Sequence, residues 1–287
     1  MTALDFIKMH GLGNDFVILD NREGAFSLSR AAVRAIADRR RGVGCDQVIV
    51  METPPAHNGS SIAPSIADVF MRIYNPDGSE SGACGNATRC VASLIMREKA
   101  ETHVIVETIS GLLDCENLGN GLYSVDMGPA RLDWRDLPLA KARDTENLGI
   151  SAGPLQNPVG VNMGNPHTVF MVDDAGAIDL EVFGPMVEHD KLFPERTNVE
   201  AVQVLSEDRI RMRVWERGAG ITQACGSGAC AALVATARRG LTGRKADVVL
   251  DGGTLTIEWL ADNNVLMSGP VATSFAGKLD PALLEAG

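Results

Sequence analysis

The chain contains 287 residues, 45% of them hydrophobic, which suits two domains of roughly 150 residues each. Its formal net charge of −11 argues against binding to nucleic acid or to an anionic membrane surface, because both require a basic footprint. No apolar run approaches the roughly 20 residues of a membrane-spanning helix, and the first residues lack the features of a signal peptide. We therefore expect a cytoplasmic protein whose six cysteines are mostly reduced.

Short β-branched runs bounded by turn-forming residues predict strands in the first half of the chain. These runs are Phe16–Leu19, Val48–Val50, Val69–Ile73 and Val104–Val106. An apolar stripe at helical spacing from Ala87 to Ile95 predicts a helix. A further helix over Ser29–Arg40 is expected to cover the surface. The segment Pro54–Pro64, rich in Pro, Gly and Ser, predicts a surface loop.

The second half repeats this succession of strands and one central helix. Its predicted strands are Val169–Val172, Val202–Val204, Ile210–Val214 and Val248–Leu250. The segment Ala229–Ala237 is apolar nearly all round, which is typical of a helix enclosed by a sheet. The cations Arg238 and Arg239 followed by Gly240 predict the end of that helix.

Two segments of the chain repeat at an offset of 141 residues: Met71–Asn75 with Ala83–Asn86, and Met212–Glu216 with Ala224–Ser227. This duplication predicts an α/β (α+β) protein of two pseudo-symmetric domains. In each, a mixed, strand-rich sheet or barrel wraps a central helix. We place the domains at residues 1–129 and 130–270, followed by a tail, 271–287, that packs back on the first. The active site is expected in the cleft between the domains.

Each repeat carries a cysteine at the predicted start of its helix, Cys84 and Cys225. A helix N-terminus can lower a thiol pKa to about 3.5–7.5, since its backbone N–H groups stabilise the thiolate. The same N–H groups can hold a carboxylate, and Gly85 and Gly226 permit close approach. Two such thiols on opposite sides of one carbon suit inversion of a stereocentre: one removes the α-proton and the other protonates the opposite face.

Other chemistry has weaker motif support. No C-x-x-C pair is present, so the usual zinc signature is missing and we expect no metal. Ala229 prevents Gly226-Ser227-Gly228 from completing a G-x-S-x-G elbow. No dinucleotide, P-loop or pyridoxal phosphate motif is found, and we expect no cofactor. Inert buried cysteines, a Cys84–Cys225 disulfide switch and a lone Schiff-base lysine stay open from the residues alone.

Eight short motifs lie in order along nearly the whole chain. They are His10–Phe16 (HGLGNDF), Gly44–Gln47 (GCDQ), Tyr74–Ser79 (YNPDGS), Ala83–Asn86 (ACGN), Gly164–His167 (GNPH), Thr197–Glu200 (TNVE), Trp215–Gly218 (WERG) and Ala224–Gly228 (ACGSG). Together they resemble the diaminopimelate epimerase family. The resemblance implies cofactor-independent interconversion of LL- and meso-2,6-diaminopimelate, serving lysine and peptidoglycan precursor biosynthesis, by a homodimeric isomerase.

The resemblance also implies a role for each matching site residue. Cys84 and Cys225 are the acid–base pair, and His167 and Glu216 tune the protonation of the thiols. Gly85, Asn86, Gly226 and Ser227 bind the carboxylate at the reacting centre. The remaining substrate-binding residues are Asn14, Gln47, Asn75, Asn165, Asn198, Glu216 and Arg217.

Three features depart from the pattern of the family. Ile221 stands where Glu is expected, Thr168 follows His167 where small or sulfur-containing residues are common, and the Pro54–Pro64 loop is long. Two alternatives are carried forward. One is a proline or hydroxyproline-type racemase, which shares the two-thiol chemistry, and the other is a non-catalytic amino-acid binding protein. An isomerase branch of the same fold lacks the cysteine pair, and the cysteines here argue against it.

Overall fold

The computed structural model describes residues 3–55 and 66–285. Two compact units make up the chain, the first from residues 1–125 and 269–287 and the second from residues 126–268. Most of the segment Pro54–Pro64, for which a surface loop was predicted, lies outside the described residues. Within the described ranges, no helix is long and apolar enough to cross a membrane.

The described residues form nineteen strands, which in chain order are β1 (Leu4–Gly11), β2 (Asn14–Asp20), β3 (Gln47–Glu52), β4 (Val69–Tyr74), β5 (Glu80–Ser81), β6 (His103–Thr108), β7 (Gly111–Gly119), β8 (Leu122–Pro129), β9 (Ser151–Ala152), β10 (Leu155–Gln156), β11 (Val159–Asn162), β12 (Pro166–Met171), β13 (Asn198–Ser206), β14 (Arg209–Glu216), β15 (Gly220–Ile221), β16 (Lys245–Leu250), β17 (Gly253–Trp259), β18 (Asn264–Pro270) and β19 (Ala272–Leu279). The α-helices are α1 (Arg30–Ala37), α2 (Gly85–Lys99), α3 (Leu180–Glu188), α4 (Gly226–Arg238) and α5 (Pro281–Leu284). A 3₁₀ turn covers Ala175–Ala177.

The sheet of the first unit is mixed. β2 pairs with β3 and β4 with β6 in parallel, while β1–β2, β3–β4, β4–β5, β6–β7 and β7–β8 are antiparallel. The strand β19 closes against β1. Helix α2 packs against β1, β2, β4, β6 and β7, and most of its residues are buried. The unit therefore wraps its strands around one central helix.

The second unit repeats the same order of pairings. β12–β13 and β14–β16 are parallel, while β11–β12, β13–β14, β14–β15, β16–β17 and β17–β18 are antiparallel. Helix α4 occupies the central position, and every residue from Ala229 to Ala235 is fully buried. It ends at Arg238, and Gly240 follows with φ +66°, as the sequence predicted. The predicted duplicated α+β fold is confirmed.

Two surface helices show what local sequence patterns can reveal. Helix α1 starts where predicted, since the Ser29 hydroxyl accepts a hydrogen bond from the Ala32 amide at 3.0 Å. Helix α3 was not predicted, because Gly184 and Pro185 are poor helix formers. Packing explains it, since a Cβ added at Gly184 would lie 2.5 Å from Cγ of Trp215. The glycine allows the helix to lie directly on the indole ring.

Candidate functional site

Cys84 is the N-cap residue of α2. Its backbone is extended (φ −153°, ψ 104°), and its carbonyl accepts the first helical hydrogen bond, from the Thr88 amide at 2.9 Å. Gly85 and Asn86 begin the helix, so their amide groups belong to the N-terminal turn, whose N–H groups have no partner inside the helix. Cys84 therefore stands at the start of the helix, as the sequence predicted, but its thiol makes no capping hydrogen bond to the helix amides.

Asn14, at the start of β2, connects the Cys84 thiol to the first turn of α2. The Cys84 S–H donates to Asn14 Oδ1, with the two atoms 3.8 Å apart, and Asn86 Nδ2 donates to the same oxygen at 3.2 Å. Asn14 Nδ2 in turn donates to Asp46 Oδ2 at 2.9 Å. The two predicted asparagines are thus brought together with the cysteine, while Asp46 is a neighbour that the sequence analysis did not single out.

Gln47 and Asn75 form a second polar contact in the first unit. Gln47 Nε2 donates to Asn75 Oδ1 at 3.2 Å, and Asn75 Nδ2 donates to Ser79 Oγ at 3.1 Å. Gln47 Oε1 is buried and has no hydrogen-bond partner among the described residues. Since a buried polar atom without a partner is costly, this oxygen is available to accept a hydrogen bond from a ligand donor.

Cys225 is the N-cap residue of α4 and is the counterpart of Cys84. Its sulfur accepts a hydrogen bond from the Gly228 amide at 3.4 Å and lies 3.6 Å from Ser227 Oγ. The glycine matters here because a Cβ at position 228 would lie 3.1 Å from Glu200 Oε1 and 3.2 Å from the Cys225 sulfur. The first turn of α4 therefore closes tightly over the thiol.

The ionisation of Cys225 differs from the sequence-based expectation. Burial raises the pKa of this thiol well above its ordinary value, and the carboxyl groups of Glu216 and Glu200 raise the pKa further. Hydrogen bonds from Ser227 and Gly228 lower the pKa but do not offset these effects. The expected lowering by the helix N-terminus was wrong for Cys225, because loss of hydration outweighs the stabilisation by backbone donors.

His167 lies on β12 without solvent exposure, between two polar partners. Its Nδ1 lies 2.6 Å from Glu200 Oε1, and its Nε2 lies 2.9 Å from Asn165 Oδ1. Burial raises the pKa of Glu200, whereas the charge and hydrogen bond of His167 lower it. Glu200 is a member of this cluster that the analysis of single residues missed. Its place in the Thr197–Glu200 motif, on a strand parallel to β12, was the available signal.

Asn198, Glu216 and Arg217 lie where β13 begins and β14 ends. Asn198 Oδ1 accepts from the Arg217 amide at 2.8 Å, and Asn198 Nδ2 donates to the Pro166 carbonyl at 3.1 Å. The Thr222 hydroxyl donates to Glu216 Oε1. The guanidinium of Arg217 is exposed, and its Nη1 donates to the Glu195 carbonyl at 2.9 Å. Asn198 thus fixes the backbone from which the Arg217 side chain extends.

The two units present their site residues at equivalent places. Phe16 pairs with Gln47 in the parallel ladder of the first unit, and His167 pairs with Asn198 in that of the second. By the same correspondence the matching pairs are Asn14 with Asn165, Gln47 with Asn198, Asn75 with Glu216, Cys84 with Cys225 and Asn86 with Ser227. The fourteen predicted residues therefore fall into two sets, one in each unit, and Cys84 and Cys225 begin the central helices of those units.

Comparison with known proteins identifies the family. Residues 6–132 and 159–273 match the family described as diaminopimelate epimerase. The chain belongs to the diaminopimelate epimerase family. The family resemblance stated from the sequence motifs is therefore confirmed.

Relatives in this family match over almost the whole chain. The diaminopimelate epimerase of Rhodospirillum centenum is 62% identical over 279 residues, covering 97% of this chain and 93% of the relative. The diaminopimelate epimerase of Acidiphilium cryptum is 53% identical over 282 residues, covering 98% of each chain.

Solved structures with low sequence identity share the fold. A predicted epimerase from Pseudomonas aeruginosa has a TM-score of 0.68 at 18% identity, covering 96% of this chain and 99% of that protein. A hydroxyproline epimerase from Agrobacterium vitis has a TM-score of 0.67 at 15% identity, covering 98% and 94%. At such low identities, these two structures establish only the fold of this chain and nothing about its activity.

Proposed function

We propose that this protein is a diaminopimelate epimerase, which interconverts LL- and meso-2,6-diaminopimelate by inverting one α-carbon. The observation that carries the proposal is the duplicated position of Cys84 and Cys225, each the N-cap residue of a central, mostly buried helix. Membership of the diaminopimelate epimerase family supplies the substrate. An isomerase of this kind serves lysine and peptidoglycan precursor biosynthesis.

In the proposed reaction, the two cysteines act on opposite faces of the same α-carbon. One thiolate removes the α-proton and becomes a thiol, while the electron pair of the broken C–H bond moves toward the α-carboxylate. The other thiol then donates its proton to the opposite face and becomes a thiolate. One proton is lost and one gained, so the reaction inverts the centre without oxidation or reduction.

The backbone donors of both helix starts support this chemistry. Amide groups of Gly85, Asn86, Gly226 and Ser227 can bind the α-carboxylate and stabilise the charge that develops on it. Such donors are already oriented by the helix, so they need no rearrangement when the charge forms. We therefore assign these four residues to the reacting end of the substrate.

The polar residues of the two sets suit a substrate with further charged groups. The Arg217 guanidinium offers a two-pronged donor for a carboxylate, and the buried Gln47 Oε1 can accept from an ammonium group. Asn14, Asn75, Asn165 and Asn198 supply donors and acceptors without repelling either charge. We assign His167 and Glu216 to tuning of thiol protonation, since Glu216 raises the pKa of Cys225 and His167 contacts Glu200.

The test is incubation of the purified protein with LL-diaminopimelate in deuterated water. Entry of deuterium at Cα together with formation of the meso isomer supports the proposal. Binding without exchange would instead identify a non-catalytic amino-acid binding protein. Turnover of proline or 4-hydroxyproline at a rate equal to that of diaminopimelate would identify a proline-type racemase. Activity that survives dialysis against a chelator supports a reaction without metal.

We also propose that the protein acts as a homodimer in the cytoplasm, as the family resemblance implies. Light scattering after size-exclusion chromatography gives the oligomeric state directly. A mass corresponding to one chain at working concentration would reject the dimer.

A further inference from the structure

Asn14 and Asn86 lie in a chain of hydrogen bonds that has a charged residue at each end. Arg89, fully buried on α2, donates from Nη2 to Asn86 Oδ1 at 3.0 Å. Asn86 Nδ2 donates to Asn14 Oδ1, and Asn14 Nδ2 donates to Asp46 Oδ2. The sequence of contacts is therefore Arg89, Asn86, Asn14 and Asp46, with the Cys84 thiol donating to Asn14 Oδ1.

The two ends determine which way each amide points. A guanidinium can only donate hydrogen bonds, so Asn86 must turn its oxygen toward Arg89 and its NH₂ group toward Asn14. An ionised carboxylate can only accept, so Asn14 must turn its NH₂ group toward Asp46. Both constraints give Asn14 the same orientation, and its oxygen faces the Cys84 sulfur. Without these two constraints, the oxygen and the NH₂ group of Asn14 could exchange places, and the oxygen would not always face the sulfur.

Asp46 lies in a network of ion pairs and hydrogen bonds with Arg39 and Asp15. Arg39 Nη2 donates to Asp46 Oδ1 at 2.6 Å and to Asp15 Oδ1 at 2.7 Å. The amides of residues 46 and 15 each donate to the other carboxylate, both at 3.0 Å. Lys8 forms a further ion pair with Asp15.

The Arg89 end is equally constrained by packing. A Cβ added at Gly11 would lie 2.9 Å from Arg89 Nη2 and 3.4 Å from Asn86 Cβ, so β1 presses directly on this contact. The position equivalent to Arg89 in the second unit is Cys230, and Ser227 replaces Asn86 there. The oriented pair of amides is therefore a feature of the first unit, although the helix starts themselves are duplicated.

We propose that Arg89 and Asp46 are positioning residues that fix the orientation of the Asn86 and Asn14 amides, so that Cys84 faces a hydrogen-bond acceptor. An acceptor stabilises the S–H form of a cysteine, whereas a turned Asn14 would present NH₂ and stabilise the thiolate. The S–H form of Cys84 is thereby favoured over the thiolate before substrate binds. Its meaning for catalysis rests on the proposed function, but the orientation of the amides does not.

The test measures the pH dependence of Cys84 alkylation by iodoacetamide, followed by mass spectrometry of the peptide that contains it. This measurement needs no substrate, so its failure is separate from failure of the proposed function. The variants leave unchanged the other charged and titratable groups on α2 and on the strands that pack against it. These include Lys8 and His10 on β1, Asp15 on β2, Arg72 and Tyr74 on β4, Glu107 on β6, Cys115 on β7 and Cys90 on α2.

In Asp46→Asn the side chain at position 46 can donate as well as accept, so only the Arg89 end still orients Asn14, and the turned amide is reached at the cost of its contact with Asn86. We expect the pH of half-maximal alkylation of Cys84 to fall by up to about one unit, the size of one hydrogen bond to a charged group. Asp20→Asn is the matched control: its Arg22 contact is also 2.6 Å, and its side chain is 47% exposed against 42% for Asp46. The control should leave the Cys84 profile unchanged.

A double-mutant cycle separates orientation from charge, since loss of the Asp46 carboxylate by itself also favours a thiolate. If Asp46 acts through the amide, Asp46→Asn shifts the Cys84 profile far less in an Asn14→Ala background, where only the loss of charge is left to act. The proposal would be overturned if Asp46→Asn moved the alkylation profile of Cys84 equally far with and without Asn14. It would also be overturned if Asp46→Asn alone did not move that profile.

Arg89 carries the opposite charge to Asp46, so replacing it gives a second way to separate the effect of amide orientation from the effect of charge. Adding Arg89→Gln to Asp46→Asn removes a cation, which by charge alone would move the Cys84 profile to higher pH. Release of both amides moves it to lower pH. We expect the lower pH, with Arg89→Lys restoring the profile of Asp46→Asn alone. A move to higher pH would reject Arg89 as a positioning residue, and the Asp46 arm stands even if Arg89→Gln does not fold.

Discussion

His167 Nδ1 lies 2.6 Å from Glu200 Oε1, and neither side chain is exposed to solvent. Burial raises the pKa of Glu200, with His167 opposing and Glu216 adding to the shift. A carboxyl whose pKa is raised in the folded state contributes stability below its ordinary pKa of 4.5 and loses it as the pH rises through the folded value. This pair therefore links the stability of the second unit to pH.

We expect Glu200→Gln to flatten the decline of unfolding free energy that wild type shows as the pH rises above 4.5. Glutamine keeps an acceptor for His167 but cannot ionise. Urea unfolding at a series of pH values measures the effect. The exposed Glu207→Gln serves as control, since it should leave the wild-type slope in place. Equal slopes in wild type and Glu200→Gln would show that folding does not raise the pKa of this carboxyl.

Replacing either of the proposed catalytic cysteines, Cys84 or Cys225, should abolish epimerisation while the fold is kept. General acid–base groups typically contribute about 100- to 10,000-fold, and Cys84→Ala or Cys225→Ala removes one of two required groups. The measurement is formation of meso-diaminopimelate, with circular dichroism as the check on folding. Cys115→Ala, a buried cysteine on β7, is the control for loss of a thiol. Near-normal turnover in Cys84→Ala or in Cys225→Ala would reject the two-base scheme.

Glu216→Gln should make Cys225 ionise at lower pH. Burial is the first cause that raises the pKa of this thiol, and the Glu216 carboxylate is the second, so the variant relieves the second alone. Alkylation of Cys225 as a function of pH reports the change. The profile of Glu216→Gln should move toward the ordinary thiol range, and that of Glu207→Gln should not move. If the alkylation profiles of both variants coincide with that of wild type, Glu216 does not affect the pKa of Cys225.

Asp15→Asn should weaken the first unit near neutral pH and remove part of its acid sensitivity. Burial opposes ionisation of Asp15, but hydrogen bonds from Arg39 and Lys8 outweigh it and lower the pKa to about 2. The stabilisation is present above the ordinary value of 3.8 and is lost as the pH falls toward about 2. We expect a loss of about 1–2 kcal/mol at pH 7, after allowance for solvent screening. Urea unfolding of Asp15→Asn, with the exposed Asp5→Asn as control, measures it. A loss that persists undiminished at pH 2 would point to packing rather than charge.

Gly228→Ala should lower activity more than it lowers stability. Alanine is the better helix former by about 1 kcal/mol, but its Cβ would press on Glu200 Oε1 and on the Cys225 sulfur. Displacing either atom disturbs the thiol, and we expect about a tenfold loss in kcat. Gly243→Ala is the control, because its nearest contact for a Cβ is 4.0 Å away. Steady-state kinetics and thermal unfolding of both variants decide the matter, and an unchanged kcat in Gly228→Ala would contradict the expectation.

Much of the architecture could be read from local patterns. The 141-residue repeat, the apolar stripe from Ala87 to Ile95 and the apolar segment after Cys225 predicted two helices that the structure places at the centre of their units. These predictions succeeded because periodicity and burial are properties of neighbouring residues. Helix α3 was missed, since its stability depends on Gly184 lying against Trp215, 31 residues further along.

The sequence by itself determined the family, the duplicated fold and the two cysteines at helix starts, because each depends on residue types at short spacing. Only the tertiary structure decided how those residues are held. Asp46 forms a hydrogen bond with Asn14, which lies 32 residues away in the sequence, and Glu200 contacts His167, which lies 33 residues away. It also decided that the pKa of Cys225 is raised, because desolvation depends on all the atoms that surround the sulfur and not on the turn that carries it.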